Sequence, residues 1–187
     1  MLSSVDKKAP PYIIDSQFSL ANEYFIILAT AHQCLNQTKN VPTDFEMMKK
    51  EITYGGPSPD EITLVDAAKH VGFIFMGSTQ ESQKLNILGK EKQNKVIASF
   101  EFDSTRKRMS ILIRDENGVY KMYMKGADNI IKQRLGKNIE QPFLLKIDSY
   151  LKEFSAVGLR TLMMAMKILS EEEVIAFKEE YNLLSKS

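Results

Sequence analysis

FDSTRKRMSILIRDENGVYKMYMKGAD, running from Phe102 to Asp128, is the stretch whose reading decides the fold. Its middle predicts a β-hairpin. Met109 to Arg114 runs up, Asp115-Glu116-Asn117-Gly118 turns, and Val119 to Met124 runs back. Asn-Gly between two strand-like runs signals a type I′ turn, which needs positive φ at both central residues. The base of the hairpin gathers Phe102, the basic run Arg106-Lys107-Arg108 and the pair Lys125-Gly126. A flat ring, several cations and a backbone bare of side chain suit a purine carrying a polyphosphate. That suggestion rests on residue types alone.

Upstream of the hairpin, Lys95 to Phe102 predicts a long strand, with shorter apolar runs at Phe73–Met76 and Leu85–Leu88. Downstream, Thr161 to Ile168 predicts a buried strand. Helices are expected around these. Ser19 to Gln37 has helical spacing, placing Leu20, Tyr24, Ile27, Leu28, Ala31 and Leu35 on one face. Residues 38–57 read as loop. Ser58-Pro59-Asp60-Glu61 predicts a helix start in which Ser58 caps, Pro59 takes the first helical position and Glu61 completes a capping box. That helix reaches about Val71 with Ile62, Val65 and Ala68 inward, and Gly72 ends it. A short helix is expected after Gly126. A longer one spans Phe143 to Phe154, with Leu144, Ile147, Leu151 and Phe154 on one face. Ser170 caps the last, with Val174, Phe177 and Tyr181 on one face and Glu171 to Glu173 at its positive end. The methionines near 109–124 and 163–166 read as core filler. Together this is an α+β domain with one antiparallel sheet of about six or seven strands flanked by helices.

Composition bounds the chemistry. The 187 residues suffice for one domain with a sizeable core. A net charge of +1 gives no global field toward nucleic acid or an acidic membrane surface. One cysteine, Cys34, excludes an internal disulfide, and two histidines without metal-ligand spacing make a metal site improbable. The longest apolar run, Phe25 to Ala31, is too short to cross a bilayer. Residues 1–17, with Pro10-Pro11, read as a tail or linker, leaving 18–187 as the domain.

Three segments place a chemically useful residue at a strand end or loop: Phe102, Lys125-Gly126, and Arg160 after Gly158. Lysine and arginine neutralise phosphate oxygens, and arginine does so bidentately. Phenylalanine stacks on a base. Each has a plain competitor. Phe102 can be core, Arg106 to Arg108 a solvated loop, and Lys125 and Arg160 surface ion-pair partners. His32 and Cys34 read as packed side chains.

The same residues resemble a family. Phe102 to Ser110 is similar to the F-x-S-x-R-K-R-M-S segment of P-type ATPases, Lys125-Gly126-Ala127-Asp128 to their K-G-A motif, and Gly158-Leu159-Arg160-Thr161-Leu162 to their G-L-R segment. Ser58 to Glu61, with Leu64-Val65, Ala67-Ala68 and Gly72-Phe73, resembles the start of their nucleotide-binding (N) domain. Order and spacing agree from about residue 18 onward. The S-P-D-E, R-K-R-M-S, K-G-A-D and G-L-R-T-L variants point to the phospholipid flippase (P4-type) branch; ion pumps usually carry K-G-A-P.

The resemblance implies a role for each matching residue. Phe102 would stack on adenine. Lys125 would lie under the nucleotide, with Gly126 leaving room. Arg160 would reach the phosphates, with Thr161 beside it. Glu61 would contact the adenine side, and Ser104 and Lys107 would line the cleft. ATP, as Mg-ATP, is the implied ligand. The D-K-T-G-T, T-G-D and G-D-G-x-N-D segments that carry the phosphorylated aspartate and hold magnesium do not occur. The expectation is therefore a module that grips ATP without catalysing alone. It would be a monomeric cytoplasmic fragment of a multi-pass membrane pump that moves phospholipid, partnered by the pump's phosphorylation and actuator domains and by no nucleic acid. An N domain from another P-type cation-pump class, an autonomous phosphotransferase or hydrolase, and a basic module for anions or lipid headgroups are the alternatives.

Overall fold

The computed structural model describes residues 17–137, 139 and 141–184. In chain order the elements are α1 (Gln17–Thr30), β1 (Leu35–Asn36), α2 (Phe45–Glu51), β2 (Tyr54–Gly55), α3 (Pro59–His70), β3 (Phe73–Ser78) and β4 (Ser82–Ile87). Then follow β5 (Lys90–Asp103), β6 (Arg108–Arg114), β7 (Tyr120–Gly126), α4 (Asp128–Lys132), α5 (Gln141–Ala156), β8 (Met163–Leu169) and α6 (Glu171–Leu184). The expected tail lies outside the described residues except for Gln17, which opens α1.

Strands β3 to β8 form one six-stranded antiparallel sheet in sequence order, and β1 and β2 pair in a small sheet of their own. This is the α+β arrangement the sequence predicts. Strands β3 to β7 follow one another through short connections, and β8 returns after α4 and α5 to pair with β7. Helices α1 and α3 pack by the sheet, where Leu28, Ile52, Val65, Ala68, Phe73, Ile74 and Phe75 form one buried cluster. Ile27, Ala31, Met109, Ile111, Ile113 and Tyr123 form a second.

The structure departs from the sequence reading in several places. The hairpin turn is not type I′: only Gly118 has positive φ, at 83°. Asp115 decides this. Its carboxylate accepts the amide N–H groups of Asn117 and Val119 at 3.0 and 2.9 Å, holding Asn117 in an ordinary turn conformation and leaving Gly118 alone to reverse the chain. Residues 38–57 are not all loop. They contain α2, capped by Asp44 accepting from the Met47 N–H at 2.9 Å, which buries Met48 and leads to buried Ile52. Seven-residue helices and two-residue strands are too short to show a period.

The helix expected to reach Gln37 ends at Thr30, and its predicted inward face holds only in part. Ile27, Leu28 and Ala31 are buried, but Leu20 and Tyr24 are exposed, as is Leu35 in β1, and Glu23 and Thr30 are buried instead. A hydrophobic pattern cannot anticipate that the helix turns a carboxylate inward. Glu23 meets Lys121 at 2.9 Å and accepts the Tyr123 hydroxyl at 3.0 Å. Helix α5 buries no residue fully. Leu144, Ile147 and Leu151 are half-buried, Phe154 is exposed, and Lys132 pairs with Asp148 across to α4.

Candidate functional site

Lys125 stands near the end of β7, and Glu61 in the first turn of α3. The two meet as a buried ion pair, Nζ to Oε1 at 3.3 Å, with side chains only 5% and 12% exposed. The other carboxylate oxygen of Glu61 accepts the backbone N–H of Gln33 at 3.3 Å. Neither Ser58 nor Glu61 completes the expected capping box. Ser58 caps through its backbone only, its carbonyl accepting the Ile62 N–H at 3.1 Å. The Glu61 side chain is drawn off the helix end because a desolvated ammonium binds a carboxylate more strongly than an amide does. Lys125 is therefore no surface ion-pair partner. Burial pulls its ammonium below the usual lysine range, and the Glu61 charge works against that shift.

Gly126, the next residue, lies against the loop between β5 and β6. A Cβ there would come under 3 Å from the Lys107 carbonyl oxygen and from the backbone of Arg108, so only glycine fits. The Ala127 N–H donates to that same Lys107 carbonyl at 3.1 Å. Lys107 has φ of 51°, in the left-handed region, and its side chain is exposed. Asp103 organises the loop by accepting the Thr105 and Arg106 amides, at 2.6 and 3.3 Å. The Arg106 guanidinium donates to the carbonyls of Glu101 and Arg108, at 2.9 and 3.1 Å, and lies over the Phe100 ring. Arg108 donates back to the Arg106 carbonyl at 3.0 Å. Two of the three basic residues thus brace the loop.

Phe102, 53% exposed, sits just before this loop on β5 and is no core residue. The register relates it to Lys125: Asp103 pairs with Arg108, Arg108 with Gly126 and Met109 with Lys125. Two strand spacings, about 10 Å, separate the ends of β5 and β7. Ser104 is exposed in the same loop. Arg160, 86% exposed, pairs with Asp60 at 3.0 Å, which places it over the first turn of α3 beside Glu61; Thr161 next to it is half-buried. The fold thus brings Glu61 and Lys125 into contact, sets Gly126 against Lys107, and holds Phe102, Ser104 and Arg160 around them on loops and strand ends.

The segment between α1 and β1, expected to continue the helix to Gln37, borders the candidate site instead. His32 and Cys34 are buried, as read, and Gln33 between them supplies the amide that holds Glu61. A backbone donor leaves no mark in a sequence; the only available signal was a histidine at the end of an amphipathic run. Burial lowers the His32 pKa to about 4 and raises that of Cys34 to about 11, with Glu61 adding to the latter. The same turn forms one wall of a cleft of about 520 Å³ whose other walls include Gln83, Glu101 and Ile111.

The arrangement can bind an anion with an attached planar group: a buried cation, an exposed guanidinium and an exposed ring near one sheet end. Among the described residues, no group of three or more His, Cys, Asp or Glu side chains is placed to hold a metal ion. No described helix is long and apolar enough to cross a membrane.

Comparison with known proteins identifies one family. The family described as P-type ATPase, cytoplasmic domain N, matches residues 25–186. Phospholipid-transporting ATPase 10 of Arabidopsis thaliana is 32% identical over 91% of the chain and 14% of its own length. Phospholipid-transporting ATPase dnf2 of Schizosaccharomyces pombe is 36% identical over 86% of the chain and 11% of its own length. Phospholipid-transporting ATPase ID of Homo sapiens is 34% identical over 81% of the chain and 12% of its own length. The chain thus spans only about one-eighth of the length of the relatives it matches.

Proposed function

The chain belongs to the P-type ATPase cytoplasmic domain N family, and on that premise we propose that it is the ATP-gripping part of a phospholipid-translocating pump. Residues 18–187 would be the N domain, and residues 1–17 a linker. Phe102 stacks on the adenine, Lys125 lies beneath the nucleotide, and Gly126 lets the backbone approach. Arg160, with Thr161, reaches the phosphates. Glu61 holds Lys125 and faces the base, and Ser104 and Lys107 line the opening. ATP arrives as Mg-ATP, and the residues that complete the magnesium shell belong to the pump's phosphorylation domain. The work of this domain is positional: it presents the γ-phosphate to an aspartate elsewhere, with an actuator domain and a membrane region completing a pump whose substrate is phospholipid.

One observation carries the reading. Lys125 is buried yet has a single carboxylate partner, at a long 3.3 Å, beside a glycine and at the same sheet end as an exposed phenylalanine. An ammonium with three donors keeps capacity for an anionic ligand there. The alternative of a basic module for polyanions is weakened because Arg106 and Arg108 each turn toward carbonyls of their own loop.

Titration of the chain with ATP, followed by amide NMR, tests the proposal. Saturable shifts at Phe102, Lys125 and Arg160 are expected, with a Kd of high micromolar to millimolar, roughly −4 to −6 kcal/mol. Phe102→Ala weakens binding by about 1–3 kcal/mol without unfolding the chain. Unchanged spectra at millimolar ATP would overturn it.

A further inference from the structure

We propose that His32 is a positioning residue for the nucleotide lysine: its imidazole pins the turn between α1 and β1 so that the Gln33 amide holds Glu61 against Lys125. The inference rests on the ATP-binding reading and extends it by one residue that touches no ligand.

The chain bends on leaving α1 and enters β1 after Cys34. Both nitrogens of the His32 ring are used in this turn. Nε2–H donates to the Ala29 carbonyl at 2.9 Å, one of the carbonyls a helix end leaves without a partner. Nδ1 accepts the Cys34 N–H at 3.0 Å. One nitrogen donates and the other accepts, so the ring is neutral and its proton sits on Nε2. Phe75 meets the ring edge-on, with centroids 4.5 Å apart. Gln33 lies between the two residues anchored in this way, and its N–H is thereby aimed at Glu61 Oε2. Cys34 fixes the same turn from the other side: a Cβ on Gly56, in the loop leading to α3, would lie 2.9 Å from the Cys34 sulfur. The chain of contacts runs from His32 through Gln33 and Glu61 to Lys125, linking α1, α3 and β7.

A charged imidazole would break this chain, because protonated Nδ1 cannot accept from the Cys34 amide. The charged groups facing the ring are Lys125 from β7 and, through Gln33, Glu61 from α3. Burial is the larger influence, and with Lys125 it keeps the ring neutral well below pH 7.

The test uses the whole chain. Without nucleotide, NMR of the wild type should show His32 as the Nε2–H tautomer and the Gln33 amide proton downfield, as a carboxylate-bonded amide is. His32→Ala moves the Gln33 amide upfield and weakens ATP binding about fivefold, roughly 1 kcal/mol. His32→Asn, whose carboxamide oxygen reaches the place of Nδ1 and accepts from Cys34, restores the Gln33 shift and brings affinity within about twofold of wild type. If His32→Ala does not fold, His32→Gln, which keeps only the donor toward Ala29, takes its place with the same expected weakening. A folded variant lacking the Nδ1-side acceptor that keeps both the wild-type Gln33 shift and the wild-type affinity overturns the proposal. So does His32→Asn binding no better than His32→Ala. Failure of the ATP reading itself is seen separately, as a wild type that binds no ATP, and the nucleotide-free Gln33 shift still decides whether His32 holds Glu61.

Discussion

Two lysines of β7, four residues apart on the same side of the strand, each meet a glutamate from a helix, and they are held differently. Lys121 has Glu23 at 2.9 Å and Asp115 at 3.5 Å, and Tyr123 donates to the second oxygen of Glu23 at 3.0 Å. Its side chain and that of Glu23 are both 6% exposed. Lys125 has Glu61 at 3.3 Å, and a backbone amide takes the second oxygen at the same distance. The first cluster is short, multiply bonded and set between α1 and the hairpin turn that joins β6 to β7. The second is long, singly bonded and set where strand ends and loops converge. Burial alone does not separate a lock from a binding group; the number and length of a buried charge's bonds do, because a charge with unspent donors retains affinity for a ligand.

The largest test of this contrast is Glu23→Ala. It leaves buried Lys121 with only the more distant Asp115 and the buried Tyr123 hydroxyl without its acceptor, and should cost about 3 kcal/mol or more in denaturant unfolding, a large share of a domain's stability. ATP affinity of the folded fraction should be unchanged. Next comes acid. His32 is held neutral in the fold at a pKa of about 4, against 6.5 in the open chain. Between these values the unfolded chain binds a proton that the folded chain refuses. Its contribution is therefore complete above pH 6.5 and falls away as pH drops toward 4, by roughly 3 kcal/mol. Unfolding free energy measured across that window should slope upward with pH, less steeply in His32→Asn.

Lys125→Met inverts the Glu23 result. It leaves the Glu61 carboxylate, 12% exposed, with the Gln33 amide alone, so stability should fall by about 1–2 kcal/mol, less than for Glu23→Ala, while ATP affinity falls at least about tenfold. A stability loss as large as that of Glu23→Ala would erase the distinction between the two lysines. Arg160→Ala has the smallest expected effect. An 86% exposed side chain paired with Asp60 contributes about 0.5 kcal/mol or less to the fold. Its loss should be read only as a few-fold weaker ATP binding in the same titration.

A second pair of regions marks where the sequence stopped being legible. Ser58-Pro59-Asp60-Glu61 and Ser170-Glu171-Glu172-Glu173 carry the same spacing of serine and glutamate at a helix start. At α6 the capping box forms: the Glu173 N–H donates to Ser170 Oγ at 3.2 Å, and the Ser170 N–H to Glu173 Oε2 at 2.9 Å. At α3 it does not, because Lys125, 64 residues away, takes the glutamate. Both helices were foreseeable from their caps and apolar spacing. Which glutamate would cap and which would bind was not.

The sequence by itself determined an α+β domain with one antiparallel sheet, its main helices and the segments on which the candidate site is proposed. These follow from period, turn residues and motif, which act over a few residues. Only the tertiary structure decided that α1 turns Glu23 inward, that Arg106 braces a loop, and that a histidine turn stands behind Glu61. Each of these depends on the free energy of a charge or polar group out of water. That energy is set by partners distant in the chain and present only once the chain has folded.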